Sequence, residues 1–242
     1  MIAPALLARR GPCFAVRAAA AFILVGLSVP AAADVGATAS LFTEARFRGI
    51  SLSGGDPVGQ LDLSYDDPSG FYGSLSGSLL RSSEYGIRPL ALQENVGYAK
   101  RLENGPTIDV GIINSHYSRY SAYQPSNGYT EIYAGLIGRI FSSHIYLAPN
   151  HYHWGHWAAY GEVDAGFRPA RKLRLTAHIG SQVRFHPGFG SRIQYDWRIG
   201  ASREIGPVSL HVALSDGGPG RDYYDDGVHR RRALIAGATF VF

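Results

Sequence analysis

The last ten residues of the chain read Ala233-Leu234-Ile235-Ala236-Gly237-Ala238-Thr239-Phe240-Val241-Phe242, without a helix cap or a polar tail. At the strand period of two, one face of this stretch carries Leu234, Ala236, Ala238, Phe240 and Phe242. Aromatic girdles lie at the interfaces of outer-membrane barrels, where such a face finds its environment. The stretch therefore predicts the closing strand of a barrel, with Phe240 and Phe242 contributing to membrane insertion. A buried last strand of a soluble β-sandwich is the alternative.

The first 33 residues are typical of a secretory signal peptide. Arg9, Arg10 and Arg17 form a positive region, residues 18–29 are apolar, and Ala31-Ala32-Ala33 provides a small-residue cleavage site. The apolar stretch is shorter than the ~20 residues of a membrane helix. We therefore predict a cleaved signal peptide over residues 1–33, a barrel over residues 34–242, and location in the bacterial outer membrane. The one cysteine, Cys13, lies in the predicted signal, so the mature chain forms no disulfide.

Composition and charge narrow the fold class and the partners. The chain contains 30 glycines and 15 tyrosines, and it has no long stretch rich in Leu, Ala, Glu and Lys of the kind that forms helices. Both observations favour a nearly all-β protein. The formal net charge is +4, and three of the positive charges belong to the predicted signal. The mature chain is thus nearly neutral, which gives no reason to expect nucleic-acid binding. Lys100 and Lys172 are the only lysines, and the abundant arginine suits partly desolvated ion pairs.

Alternating apolar and polar residues recur along the chain and are clearest over residues 157–167, 173–184 and 193–202. Tight turns such as Asp67-Pro68-Ser69-Gly70 alternate with longer polar connections such as residues 216–228. This pattern predicts an all-β protein, an antiparallel transmembrane β-barrel of about 12 strands with short periplasmic turns and longer extracellular loops. A soluble sandwich has no need for this alternation in connection length.

A family resemblance supports the same fold. The run Arg46-Phe47-Arg48-Gly49-Ile50-Ser51, followed by Gly55-Asp56-Pro57 and Gln60-Leu61-Asp62, resembles the N-terminal signature of the TorF-family putative porins. The stretches Ser69-Gly70-Phe71-Tyr72-Gly73 and Tyr129-Thr130-Glu131-Ile132-Tyr133-Ala134-Gly135 resemble two later segments of that family. The resemblance implies an outer-membrane pore of unassigned substrate.

Charged residues recur on the polar faces of the predicted strands, opposite the apolar faces. An arginine on the lipid face near the midplane costs about 2–4 kcal/mol, so we expect these side chains to line a lumen. Arginines outnumber carboxylates on the three strands around His178, which predicts a porin for small polar solutes with a preference for anions. Cross-strand ion pairs that fill a narrow barrel are the alternative. The predicted pore-lining residues are Glu44, Arg46, Arg48, Asp62, Glu131, Arg139, Glu162, Asp164, Arg174, His178, Arg184, Arg192, Asp196 and Arg198.

Two other motifs carry competing hypotheses. His116-x-Ser118, with Glu131 on the next strand, resembles the His-x-Ser plus Glu arrangement of outer-membrane lipid A deacylases, in which serine attacks an ester. His151-x-His153-x-x-His156 could ligate a metal, but the segment has no carboxylate, and we predict neither a metal nor a cofactor.

The leading hypothesis is a porin that works by passive diffusion. An acyl hydrolase and a non-conducting structural or adhesive barrel are the alternatives. The expected partners are outer-membrane lipid, lipopolysaccharide, the barrel-insertion machinery and small polar solutes.

Overall fold

A computed structural model describes residues 33–84, 86–103, 105–121, 128–151, 157–186, 190–218 and 232–242, with the backbone alone at His186 and at residues 190–192. The described residues form fourteen strands: β1 Asp34–Phe42, β2 Arg46–Phe47, β3 Ile50–Ser51, β4 Val58–Asp66, β5 Phe71–Ser82, β6 Gly86–Arg101, β7 Thr107–Tyr117, β8 Tyr129–Ile137, β9 Phe141–Ala148, β10 Trp157–Ala170, β11 Leu173–His186, β12 Gly190–Ile205, β13 Val208–Gly218 and β14 Ala233–Val241.

Twelve of these strands close into an antiparallel barrel. Sequential strands β4 to β14 pair in order, and β1 completes the ring by pairing with both β4 and β14. At this seam Ala39 lies opposite Phe240, and the amide of Phe242 donates to the carbonyl of Ala37 at 3.0 Å. The predicted fold class and the closing role of the last strand are therefore confirmed. The short strands β2 and β3 pair only with each other.

The two faces of the barrel wall have opposite chemistry. Large apolar side chains point outward, with Ile179, Ile193 and Ile199 each more than half exposed, whereas Gln182 and Asp196 are buried inside. A soluble β-sandwich buries its apolar face, so this inverted arrangement is that of a transmembrane barrel. Most charged strand residues are kept from lipid because successive side chains of a strand alternate between faces. Glu94 is an exception: it lies on the outer face between Leu92 and Val96 and accepts a hydrogen bond of 3.3 Å from Asn114.

The rings of Phe240 and Phe242 lie on the outside of the barrel and pack edge to face, 4.8 Å apart. Their contribution to membrane insertion remains a prediction. Residues 1–32 lie outside the described part of the chain, so the predicted signal peptide also remains a prediction. Within the described ranges, no helix has the length and apolar character needed to cross a membrane.

The structure corrects two predicted positions. Arg46 and Arg48 were predicted on the polar face of a wall strand, but β1 ends at Phe42 and the chain then turns into the barrel, where Leu52 N donates to Ala45 O at 2.8 Å. Arg46 and Arg48 therefore lie on the inner hairpin β2–β3 instead of the wall. Arg139 was expected in the lumen, but β8 ends at Ile137 and Arg139 is exposed in the turn to β9.

The outward position of Ile179 gives a test of the wall. Ile179→Arg should destabilise the folded barrel in lipid vesicles by about 2–4 kcal/mol, because Ile179 is near the middle of β11 and faces lipid. Urea unfolding, monitored by heat-modifiable gel mobility, measures the change in the free energy of unfolding. Ile179→Leu is the matched control. Equal stability of the arginine and leucine variants would contradict the outward assignment.

Candidate functional site

A small hairpin occupies the lumen at the sequence Arg46-Phe47-Arg48-Gly49-Ile50-Ser51. Arg46 pairs with Ser51 and Phe47 with Ile50, and the turn between them contains only Arg48 and Gly49. Both turn residues have positive φ, 48° and 76°, as a two-residue type I′ turn requires. Positive φ at a residue other than glycine costs on the order of 1–3 kcal/mol and persists only where the surroundings hold it.

The tip of this hairpin is held by Arg48. Its guanidinium donates two hydrogen bonds of 2.9 Å to the two carboxylate oxygens of Glu131 on β8. The same group lies 4.0 Å above the ring of Tyr160 and 5.3 Å from that of Tyr146. Both partners of the ion pair are buried. This bidentate and stacked geometry needs the planar fork of arginine and is not available to lysine.

The hairpin reaches across the barrel. It connects β1 to β4 in the chain, and these two strands pair directly in the wall. At the tip of the hairpin, Gln194 of β12 donates to the carbonyl of Arg48 at 3.4 Å. A Cβ on Gly49 would lie 2.8 Å from both Asp196 Cβ and Gly217 Cα, so glycine allows the tip to meet the far wall. The sequence signature of residues 46–51 is therefore a structural insert that narrows the lumen.

Apolar packing fixes the rest of the hairpin. Leu52, Val58, Leu80 and Leu90 form a buried cluster inside the barrel, and Phe47 and Ile50 pack against it. Phe47 also contacts a second cluster formed by Tyr129, Ala148 and Ala158. Because the hairpin packs on both sides, its position is set by the walls as well as by the ion pair.

Two small cavities lie beside the hairpin. One cavity of about 60 Å³ has room for a few water molecules, and a second has about 30 Å³. The larger cavity is lined by Phe47, Arg48, Gln93, Ile113, Glu131, Tyr146, Tyr160, Glu162, Asp164, His178 and Arg198.

A polar network covers the wall next to this cavity. His144 Nε2 lies 3.1 Å from Asp109 Oδ2, and the hydroxyl of Tyr146 donates to Glu162 at 2.8 Å. His178 lies between two aspartates, with Nδ1 2.9 Å from Asp164 and Nε2 2.9 Å from Asp196. The network links strands β7, β9, β10, β11 and β12.

Most of the predicted pore-lining residues lie inside the barrel. Strand residues facing the lumen are Asp62, Glu131, Glu162, Asp164, Arg174, His178, Arg184, Asp196 and Arg198. Glu44, at the base of the hairpin, binds Arg46 at 3.0 Å. The side chain of Arg192 lies outside the described part of the structure.

Sequence reasoning missed several lumen residues. Asp109 is 2% exposed, and His144 is equally buried. Asp109 alternates with the outward-facing Ile108 and Val110, and this local pattern could have identified it. Tyr133 and Tyr146 alternate in the same way with outward-facing neighbours such as Ile132 and Ile145, although tyrosine by itself does not distinguish the two faces of a barrel strand.

The structure does not assemble the predicted hydrolase residues. His116 is exposed on the outer wall, where its Nε2 lies 2.8 Å from the amide of Asn114. Ser118 donates to the carbonyl of Pro89 at 2.5 Å, and Glu131 faces inward to Arg48. Glu131 lies opposite Ile113 in the register of β7 and β8 and shares its face. His116 is three residues from Ile113 and therefore points to the other face, so Glu131 cannot orient it.

The His-rich loop is described only at His151. Its side chain is buried, with Nε2 3.3 Å from Gln182 Nε2, while His153 and His156 lie outside the described residues. Burial, together with the nearby Arg184 and Arg48, lowers the pKa of His151 to about 2. His151 is therefore neutral at physiological pH.

Comparisons with known proteins agree with this fold. A family model described as "Bacterial protein of unknown function (Gcw_chp)" matches residues 29–241. No curated protein matches the sequence. The solved NanC porin shares 8% identity and a TM-score of 0.60, over 84% of this chain and 98% of the other. The KdgM porin shares 11% identity and a TM-score of 0.51, over 86% and 99%. At such low identity the likeness shows a shared barrel fold.

Proposed function

We propose that this chain, which belongs to the Gcw_chp family of bacterial proteins of unknown function, is a narrow outer-membrane channel for passive diffusion of small polar solutes. The observation that carries the proposal is the hairpin tip that crosses a charged lumen and binds Glu131. A polar interior is common to outer-membrane barrels, so the constriction is the feature that bears on solute size. A constricting segment inside a polar barrel is what limits solute size in a channel.

Location and partners follow from the same proposal. The apolar outer wall fits the lipid and lipopolysaccharide of the bacterial outer membrane, and insertion requires the barrel-insertion machinery. The low-identity matches are named as porins, in line with a pore. We further propose that the pore is of the TorF-family type, which the sequence motif of residues 46–51 resembles.

We propose weak charge selectivity in place of the anion preference predicted from three strands. The lumen also holds Asp62 and Asp109, which that count left out, and these carboxylates offset the arginine surplus, while Glu131 balances Arg48. One solved neighbour is described as the KdgM porin in complex with disordered oligogalacturonate. An acidic oligosaccharide is thus one solute class to compare with neutral sugars of similar size.

Single-channel conductance in planar bilayers tests the proposal. The purified and refolded barrel should give discrete, ohmic steps of small conductance, with a reversal potential near zero in a salt gradient. A folded barrel that gives no steps would overturn the channel assignment and favour a non-conducting structural barrel.

The arginines that face the lumen should determine the charge selectivity of the pore. Arg174→Glu combined with Arg198→Glu should move the reversal potential toward cation selectivity, because each substitution changes the charge of a narrow lumen by two. Arg139→Glu combined with Arg171→Glu makes the same total change of charge at exposed turns and is the matched control. Equal shifts in both variants would show that these strand arginines do not face the conducting path.

A further inference from the structure

Two histidines and two carboxylates meet on the lumen wall through the strand register. His144 of β9 lies opposite Glu162 of β10, and Asp164 of β10 lies opposite His178 of β11. One ligand atom from each of Glu162, Asp164 and His178 fits within 4.8 Å of the others. All four side chains point inward. Glu162, Asp164 and His178 line the larger cavity, and His144 lies next to Glu162.

A second observation points to a missing partner at this cluster. His144 is 1% exposed, and its Nδ1 has no hydrogen-bond partner among the described residues. That nitrogen lies 3.9 Å from Glu162 Oε1, beyond hydrogen-bond distance. A buried imidazole nitrogen without a partner is costly, and a bound cation would satisfy it.

Both imidazoles are oriented in the same way. His144 presents Nε2 to Asp109 and Nδ1 to Glu162, and His178 presents Nε2 to Asp196 and Nδ1 to Asp164. An aspartate that binds the outer nitrogen of a histidine fixes its tautomer and directs the inner nitrogen to a metal. At His178 the ion would replace the proton that Nδ1 now shares with Asp164, 2.9 Å away. Asp109 and Asp196 thus occupy the positions of second-shell partners.

Distances and charge suit a divalent ion. Ligand atoms around one ion with bonds of about 2.1 Å lie roughly 3.0–3.4 Å apart, so the hydrogen bond of 2.9 Å between His178 Nδ1 and Asp164 Oδ1 would have to open only slightly to admit an ion. Around the cluster, the carboxylates of Glu162, Asp164 and Asp196 lie near one lumen arginine, Arg198, and Asp109 beside His144 adds a fourth. The charge of Arg48 is already balanced by Glu131.

We propose that Glu162, Asp164 and His178 bind one divalent transition-metal ion of the Zn²⁺ type on the lumen wall, and that His144, whose Nδ1 lies 3.9 Å from Glu162 Oε1, closes on it as the fourth ligand. Imidazole and carboxylate together are the ligand set of such ions, whereas Ca²⁺ and Mg²⁺ prefer oxygen alone. The ion cross-links strands β9, β10 and β11 beside the hairpin. The proposal does not depend on conductance, so it stands or fails separately from the channel function.

Isothermal titration of the refolded barrel with Zn²⁺ tests the site. The protein carries no polyhistidine tag and is first stripped of metal with a chelator. Wild type should bind one equivalent, and Glu162→Gln and Asp164→Asn should each weaken binding roughly tenfold or more. His211→Asn is the matched control: His211 of β13 also lies inside the barrel but binds Thr239 of β14 and does not line the cavity, so affinity should not change.

Two outcomes would overturn the proposal. Absence of saturable Zn²⁺ binding by wild type is one. The other is binding that survives Glu162→Gln and Asp164→Asn but is lost in His153→Asn with His156→Asn, which would assign the ion to the outer loop.

X-ray absorption on Zn²⁺-loaded wild type is decisive even where a lumen variant does not fold. It should show two imidazole and two carboxylate ligands. A shell of water and other oxygen atoms alone would exclude the site.

Discussion

Removing the inner hairpin should raise single-channel conductance several-fold. Ala45 and Leu52 already pair at the base of the hairpin, with a hydrogen bond of 2.8 Å. Replacing residues 46–51 by Asn-Gly keeps that pair and closes it with a two-residue turn of the same type. Conductance rises with the open cross-section, and this change removes the segment that spans from the β1–β4 side to β12 and β13.

The shortened variant needs a control for folding and for charge. Heat-modifiable mobility should remain that of a folded barrel, because β2 and β3 make no pairing with the wall. Arg48→Gln retains the hairpin and removes the tip charge, so it separates the steric effect from the electrostatic one. An unchanged conductance in the shortened variant would show that ions pass by a route that avoids the hairpin.

Breaking the Arg48–Glu131 pair should be the most destabilising single change in the lumen. Arg48→Met or Glu131→Met alone should each lower the free energy of unfolding by about 3–5 kcal/mol, because the remaining partner is a buried charge without its counter-ion. The double variant should recover most of this loss, since two apolar side chains replace the pair. Methionine at position 48 meets the same positive φ as arginine, so backbone strain is unchanged.

Urea unfolding of the four proteins in one detergent gives the double-mutant cycle. Arg232→Met is the matched control, because its pair with Asp216 is 67% exposed on the arginine side and should contribute about 0–1 kcal/mol. Losses that simply add in the double variant would show that the two residues are not coupled.

The sequence was sufficient to predict the wall of this protein. Apolar and polar side chains alternate locally, so the faces of β10, β11 and β12 could be assigned without knowing their neighbours. Lipid excludes charge, which fixes the polar face inward, and the short turns give the antiparallel order. The closing role of residues 233–242 follows from the same reasoning.

The tertiary structure decided what lies inside the wall. Arg46-Phe47-Arg48 alternates like a strand, and its inward turn depends on Glu131, 83 residues away from Arg48, and on the ring of Tyr160. The cluster of His144, Glu162, Asp164 and His178 depends on cross-strand register, which a shift of one residue would turn to the lipid face. The alternation of apolar and polar residues is a property of neighbours in the sequence. The strand register and the position of the hairpin inside the lumen arise only when the barrel closes.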